Sequence, residues 1–305
     1  MHASKNTLNL DKPVSLPETL GLLFVQLRPR QWTKNLLVFG ALAFSTKKLD
    51  WDNLLQTCAA FVLFCLISGS VYIMNDYMDR ESDRLHPDKI KRPMASGRLN
   101  PALALSVGAG LLTISLSAGF YLSIAFGYLL LVYFTLNVLY SLKLKHVVIL
   151  DLMVVASCYV LRAVAGIIVL DAILTPWFMM CVFLLSLFLS IGKRRHELLL
   201  LEYRGGAHRR VLDHYSEPLL NQMSGVVTTL TIISYSFYTF ISAYPIYMML
   251  TIPIVIYGMF RYLYLIHVLG KGGKPETLLY EDKGILACIL LFGVSVLLIV
   301  NAAPL

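Results

Sequence analysis

Residues 72–98 read YIMNDYMDRESDRLHPDKIKRPMASGR, and they begin inside an apolar run that covers residues 54–74. Asp76, Asp79 and Asp83 fall at i, i+3 and i+7, directly behind Asn75. On a continuous helix of 3.6 residues per turn the three carboxylates share a sector of about 60°. Carboxylates stacked at the end of a membrane span repel one another and need a positive partner. A hard divalent cation such as Mg2+ is the expected one, because it binds through one or two carboxylates and takes substrate phosphates as further ligands. Arg84, His86, Lys89, Lys91 and Arg92 follow at once, a cationic stretch suited to phosphates. The competing reading is a solvated helix end with ordinary loop charges. Asn75, the cations that follow and the position at a span's end favour a metal–diphosphate site.

The rest of the chain makes that stretch part of a membrane protein. Of 305 residues, 57% are hydrophobic and 14% charged, and the mean hydropathy is +0.70. A soluble domain carries about 25% charged residues. Apolar stretches of span length recur, so the expected fold is an all-α transmembrane bundle and not a barrel. Nine spans are expected, near residues 32–49, 54–75, 101–119, 121–141, 147–170, 174–192, 221–243, 245–266 and 284–301. The first has the shortest uninterrupted apolar part. Residues 1–19, polar and containing Pro13 and Pro17, read as a cytoplasmic tail without a signal-peptide pattern. Residues 20–27 are a short apolar piece suited to the membrane interface. Residues 20–305 read as one transmembrane catalytic domain.

Charge placement orients the bundle. With the N-terminus inside, the inner segments hold 23 of the 26 Lys and Arg. The outer side holds Lys47 and Lys48, and Arg162 lies within a span. This asymmetry predicts N-terminus in and C-terminus out, so a site built from the charged loops faces the cytoplasm of the inner (plasma) membrane. The net charge of +8 is spread over short loops, which argues against nucleic acid and leaves positive-inside bias and anionic substrates as its causes. Cys58, Cys65, Cys158, Cys181 and Cys288 all lie in apolar runs and read as small buried hydrophobes.

Three further clusters stand at inner ends of spans. Residues 140–151, YSLKLKHVVILD, place Tyr140, Lys143, Lys145 and His146 around a very short loop, with Asp151 just inside the next span. Arg162, eleven residues on, shares the Asp151 face but is too far along the helix to pair with it, so each needs another partner. Residues 192–206, GKRRHELLLLEYRGG, bring Lys193, Arg194, Arg195 and Glu197 to a span's exit, with Arg209 and Arg210 beyond. They read equally as a topology signal or as phosphate contacts. The GKGGK stretch near residue 272 lacks Walker A spacing and reads as a turn. Glu281 and Asp282 suit the N-terminus of the last span.

NDYMDRESD resembles the aspartate-rich motif of the UbiA superfamily of intramembrane prenyltransferases, whose nine spans agree with the count above. The second motif departs from it, with Asp151 followed by Val155 where that superfamily often has DxxxD. RPRQWTKN, NDYMDRESDRLHP with KRP, LKH with Asp151 and LRAVAG, and GKRRHEL together resemble the decaprenyl-phosphate phosphoribosyltransferase family, over residues 27–283. That resemblance implies Mg2+-dependent transfer of 5-phosphoribose from phosphoribosyl pyrophosphate to a polyprenyl phosphate, pyrophosphate release, and supply of lipid-linked pentose for cell-wall arabinan. It also suggests self-association as a homo-oligomer. Under it, Asn75, Asp76, Asp79 and Asp83 hold the metal–diphosphate, and Asp83 or Asp151 stabilises positive charge on the ribose ring. Lys34, Arg84, Lys89, Arg92, Tyr140, Lys145, Arg162, Lys193 and Arg194 are candidate substrate contacts. The acceptor phosphate is already ionised, so neither His86 nor His146 is needed as a base. Two other readings compete: a prenyltransferase joining a prenyl diphosphate to an aromatic acceptor, and a transporter of lipid-linked anions. The degenerate second motif and the extra cations disfavour the first. The one-sided charges and the lack of an inverted repeat disfavour the second.

Overall fold

The computed structural model describes residues 15–44, 50–85, 89–173, 175–204, 210–242, 245–273, 277–278 and 281–302. Among these residues there is no strand. The expected tail up to residue 14, Lys47, Lys48, His86, Gly205, Gly206 and Arg209 lie outside the described residues.

Helix α1, Leu16–Gln26, begins four residues before the expected interfacial piece. Its Leu16, Leu20 and Phe24 are exposed at i, i+4 and i+8, while Leu22 and Gln26 pack inward. This two-faced pattern is that of a helix lying in the membrane interface.

A 3-10 helix, Pro29–Phe39, follows and runs into the short α2, Gly40–Phe44. A regular α-helical first span was expected here, and the structure differs. The two buried residues of the 3-10 helix, Asn35 and Val38, are three apart, and the 3-10 period sets them on one face. At about 2.0 Å per residue the 3-10 stretch also reaches farther than an α-helix of equal length. With α2 it extends about 30 Å, the thickness of a bilayer's hydrocarbon core.

The long helices are α3 (Trp51–Met78), α5 (Pro101–Leu122), α6 (Ile124–Leu142), α7 (Leu150–Leu170), α8 (Pro176–Arg204) and α9 (Glu217–Ile241). The short α4, Arg80–Arg84, separates α3 from α5. Helices α10 (Pro245–Met249) and α11 (Ile252–His267) together make another crossing. Among the described residues seven crossings are thus long and apolar enough to span a membrane, and α12, Lys283–Ala302, is a further apolar helix. This is a multi-pass membrane protein. Its outward face agrees: Val226, Ile233 and Phe237 on α9 and Leu290, Leu291, Leu297 and Leu298 on α12 are all exposed.

Asp50 starts α3 by accepting the Asn53 N–H at 2.8 Å, an N-cap contributing about 1 kcal/mol. Phe64, Ile67, Val71 and Ile73 on that helix are buried, and Phe64 meets Tyr133 of α6 edge-on with ring centroids 5.2 Å apart. Between helices in lipid the hydrophobic effect gives no net drive, so close packing of small residues and interhelical hydrogen bonds hold the bundle. Ser70 Oγ donates to the Gly108 carbonyl at 2.8 Å, bringing α3 against α5. On α7, Gly166 lies under the 3-10 segment, where a Cβ would stand 2.0 Å from the Val38 carbonyl oxygen. Gly166→Ala is therefore expected to destabilise the bundle by roughly 1–3 kcal/mol. Thermal unfolding in detergent checks this against Gly225→Ala, whose new methyl meets nothing within 4 Å and should leave the transition in place or raise it.

Candidate active site

Helix α3 stops at Met78 because Asp79 leaves helical geometry, at φ −90° and ψ 3°. The Asp83 N–H still reaches the Asp79 carbonyl at 2.8 Å, so α4 resumes nearly in register. The break divides the three carboxylates that a continuous helix would have stacked. Asp76 and Asp83 are buried at 3% and 2% exposure, and Asp79 is more open.

Arg92 joins the two buried acids. Its Nη1 lies 2.9 Å from Asp76 Oδ1 and 2.5 Å from Asp83 Oδ2. Asp76 also pairs with Arg28 and accepts from Gln26 Nε2 at 2.5 Å, while Lys89 Nζ stands 3.9 Å from Asp83. Asp79 faces the α6–α7 connection, where Lys145 Nζ donates to it at 2.8 Å. Asn75 Oδ1 accepts from Ser141 of α6. A cavity of about 260 Å³ opens beside Asp76, lined by Val25, Gln26, Arg28, Lys91 and Arg92.

Gln26 and Arg28 escaped the sequence reading. They precede Asp76 by about fifty residues, and nothing local announces the contact. The one signal was RPR itself. Arg28 has φ 53°, in the left-handed region that L side chains seldom occupy, and Pro29 excludes the ordinary helical conformation before it. The chain turns sharply there, setting the Arg28 guanidinium on Asp76 and 5.0 Å from the Tyr72 ring.

Arg84 stands apart from this group. Its Nε donates to the Ala95 carbonyl at 3.2 Å and its Nη1 to Glu81, and neither bond reaches Asp76, Asp79 or Asp83. Glu81 stays ionised below the ordinary glutamate range because Arg80 donates to it and Arg84 lies beside it.

The second group surrounds Asp151, which has no exposure. Arg194 Nη2 lies 2.7 Å from Asp151 Oδ2, and Tyr215 Oη donates to Oδ1 at 2.7 Å. Burial and the bond to Asp151 push the Tyr215 phenol upward, so it remains a donor at neutral pH. The same hydroxyl accepts the N–H of Ile149 at 2.8 Å, whose φ of 70° is strained for a β-branched residue. Tyr215 and its position were not legible in the sequence. Arg194 also holds Glu197 at 2.6 Å. Its neighbour Arg195 ties α8 to α9 and α11 through Glu217, Asn221 and the Ile266 carbonyl. Lys193 is exposed beside them, and Lys34 and Tyr140 are half-buried.

Arg162 has a separate set of partners inside the bundle. It donates to Asn35 Oδ1 at 2.7 Å, the Cys158 carbonyl at 2.7 Å and Tyr133 Oη at 2.8 Å. Its guanidinium stacks 5.0 Å from the Tyr133 ring and 5.4 Å from Tyr159. The arginine thus pins the 3-10 segment to α7 and α6. At the other end of the chain Asp282 accepts the Ile285 N–H at 2.9 Å and pairs with Arg261 at 2.8 Å. The Arg261 hydrogen bond, helped by these N–H contacts, holds its carboxyl down at about 2.

The donor set suits a hard divalent ion of low protein coordination. No cluster of three His, Cys, Asp or Glu at metal distance occurs among the described residues. Asp76 and Asp83 do converge on one cationic nitrogen, Arg92 Nη1, so the two carboxylates stand close enough to share one positive partner. Two carboxylates with substrate phosphates and water are what Mg2+ requires.

A profile of the UbiA prenyltransferase family matches residues 36–273. The decaprenyl-phosphate phosphoribosyltransferase of Mycolicibacterium smegmatis is 35% identical over 222 residues, 72% of this chain and 70% of that protein. The protein of the same name from Corynebacterium glutamicum is 32% identical over 267 residues, 84% of this chain and 80% of that one. Among solved structures, a UbiA homolog from Archaeoglobus fulgidus bound to GPP and Mg2+ superposes with a TM-score of 0.70 at 18% identity, over 92% of this chain and 99% of the other.

Proposed function

The chain belongs to the UbiA prenyltransferase family, and from that membership we propose that it transfers 5-phosphoribose from phosphoribosyl pyrophosphate to a polyprenyl phosphate. The observation that carries this reading is the surplus of cations over carboxylates. Arg28, Lys89, Lys91, Arg92 and Lys145 stand around Asp76, Asp79 and Asp83. A reaction that brings a lipid phosphate up to a pyrophosphorylated sugar phosphate gathers three anionic groups, which repel each other unless cations surround them. The names of the phosphoribosyltransferase relatives point the same way.

In this mechanism an ionised oxygen of the acceptor phosphate attacks C1 of the ribose while the C1–O bond to pyrophosphate breaks, and the electron pair leaves with pyrophosphate. Asp76 and Asp83 would hold Mg2+, which would lower the charge cost of that leaving group. Asn75 and Asp79 border the same place. Arg28, Lys89, Lys91, Arg92 and Lys145 bind the phosphates, with Lys34 and Lys193 as outer contacts. Positive charge grows on the ribose ring as the bond lengthens, and a nearby carboxylate, Asp83 or Asp151, would stabilise it. Asp151 and Arg194, already joined to each other, position the inner ends of α7 and α8. No general base is needed, because the acceptor is an anion at neutral pH. The site faces the cytoplasm, where the phosphorylated sugar is available, and the product is a lipid-linked pentose.

A transfer assay on purified protein tests the reading. Labelled phosphoribosyl pyrophosphate, Mg2+ and polyprenyl phosphate go in, and lipid-extractable label is counted. The expected result is label that falls to background with EDTA and returns with Mg2+. Absence of label in folded protein, together with prenylation of 4-hydroxybenzoate from a prenyl diphosphate, would replace it by the other chemistry of this fold.

A further inference from the structure

A second cavity, of about 500 Å³, has a lining that includes none of Asp76, Asp79 and Asp83. Arg80, Arg84 and Arg98 border it, with Thr19 of α1 and Leu103 of α5. The N-terminus of α5, a helix of 22 residues capped by Asn100, also opens onto it. Arg80 and Arg84 lie one turn apart on α4 and both line this cavity, which Asp76, Asp79 and Asp83 do not border. The reaction described above uses none of these guanidinium groups.

Their hydrogen bonds are only partly spent. Arg80 and Arg84 share Glu81, Arg84 Nε uses the Ala95 carbonyl, and Arg98 Nη2 donates to Glu18 at 2.8 Å. Among the described residues, Nη1 of Arg80, Nη2 of Arg84, and Nε and Nη1 of Arg98 take no partner in these contacts. Three cations face two carboxylates, so the cavity keeps a positive balance. Guanidinium groups with open donors form a receptor for a phosphate oxyanion.

The depth of the cavity comes from a separate observation. Leu16 and Leu20 of α1 are 75% and 59% exposed, and Phe24 continues their stripe. An exposed apolar stripe of this kind fits lipid, with α1 at the interface and its long axis in the membrane plane. Thr19 stands on the flank of that stripe and lines the cavity, so the arginines lie at headgroup depth. Leu103, 41% exposed on the first turns of α5, continues the apolar surface toward the bilayer interior. A ligand that fits both ends has a phosphate at the arginines and acyl chains along Leu103.

We propose that the Arg80–Arg84–Arg98 cavity binds the phosphate of an anionic phospholipid of the inner leaflet, as a site separate from the carboxylate pocket. The lipid would brace α1 against α4 and α5, and α1 carries Gln26 and Arg28 to Asp76. The inference does not depend on which reaction the carboxylate pocket performs.

Native mass spectrometry of the full chain in mild detergent tests it with phosphatidylglycerol, phosphatidylcholine and inorganic phosphate as separate probes. Wild-type protein is expected to retain phosphatidylglycerol in preference to phosphatidylcholine. Each arginine converted to glutamine, as in Arg98→Gln and in Arg80→Gln with Arg98→Gln, should weaken that preference by about fivefold, the share of one cation near a charged leaflet. Arg98→Lys, which keeps the charge, should retain most of it and guards against a merely misfolded glutamine variant. Lys143→Gln, removing an exposed cation elsewhere on the inner side, should change nothing. An unchanged preference in the folded double variant would overturn the proposal. Displacement of the lipid by millimolar inorganic phosphate would also overturn it, in favour of a soluble phosphate.

Discussion

Asp76→Asn is expected to lower phosphoribosyl transfer by about 10²–10³-fold, the loss that follows removal of one preorganised electrostatic contact to a transition state. The replacement nearly preserves shape. An asparagine can still meet Gln26, and Arg92 keeps Asp83 at 2.5 Å. What disappears is one of the two carboxylates that converge on Arg92 and that, in the proposed mechanism, would hold Mg2+. Folding should survive, because the Arg28 and Arg92 side chains are 29% and 27% exposed and water can solvate them once Asp76 is neutral. Initial rates over an Mg2+ titration, with far-ultraviolet circular dichroism on the same samples, check this. The expected pattern is normal helicity, a collapsed rate and a weaker response to Mg2+. Asp52→Asn, an exposed acid in the first turn of the same helix, should keep its rate. A folded Asp76→Asn protein running at near wild-type speed would remove Asp76 from the chemistry.

Arg194→Met should be the most damaging single change to stability, at about 3–5 kcal/mol. Asp151 has no exposure and Arg194 only 6%, so methionine would leave a carboxylate without solvent or counter-charge. Tyr215 could still donate one hydrogen bond to it, too little to offset the desolvation. The companion variant separates loss of the ion pair from loss of packing. Arg194→Met combined with Asp151→Asn removes both charges and should recover a large part of the deficit, since replacing a whole buried pair costs far less than breaking one. Thermal unfolding of the two single variants, the double variant and the wild type in one detergent completes the cycle. Strict additivity of the two single effects would show that the residues are not coupled, contrary to the 2.7 Å contact between them.

What could be read in the residues followed from periodicity and hydropathy. The run at 54–75 became Trp51–Met78, and 284–301 became Lys283–Ala302, each within a few residues. Long apolar helices are local features, so a local reading suffices. The expected exit of α8 at residue 192 was short by a dozen residues, because the charged GKRRHEL stretch stays helical beyond the membrane. Hydropathy measures where lipid ends, not where a helix ends. The carboxylates were legible as a group but not as an arrangement. Their helical spacing predicted one face, and a single non-helical residue, Asp79, divided them. Partners from distant elements were invisible altogether. Gln26 and Arg28 reach Asp76, and Tyr215 reaches Asp151, only after the bundle has assembled. Arg162 was rightly singled out as an intramembrane charge needing a partner, yet the partners are Asn35 and Tyr133 and no acid.

The 3-10 stretch between Pro29 and Phe39 has a bearing on how this part of the chain can drift in evolution. In an α-helix, inserting or deleting four residues nearly preserves the face presented to a neighbour. Here the faces repeat every three, and Asn35 and Val38 both lie against α7. Length changes in this segment are therefore tolerated in steps of three, each shifting one end by about 6 Å. A step of one or two would carry Asn35 away from Arg162 and leave a charge inside the bilayer without its amide. Related chains aligned through this region should show gaps in multiples of three or none.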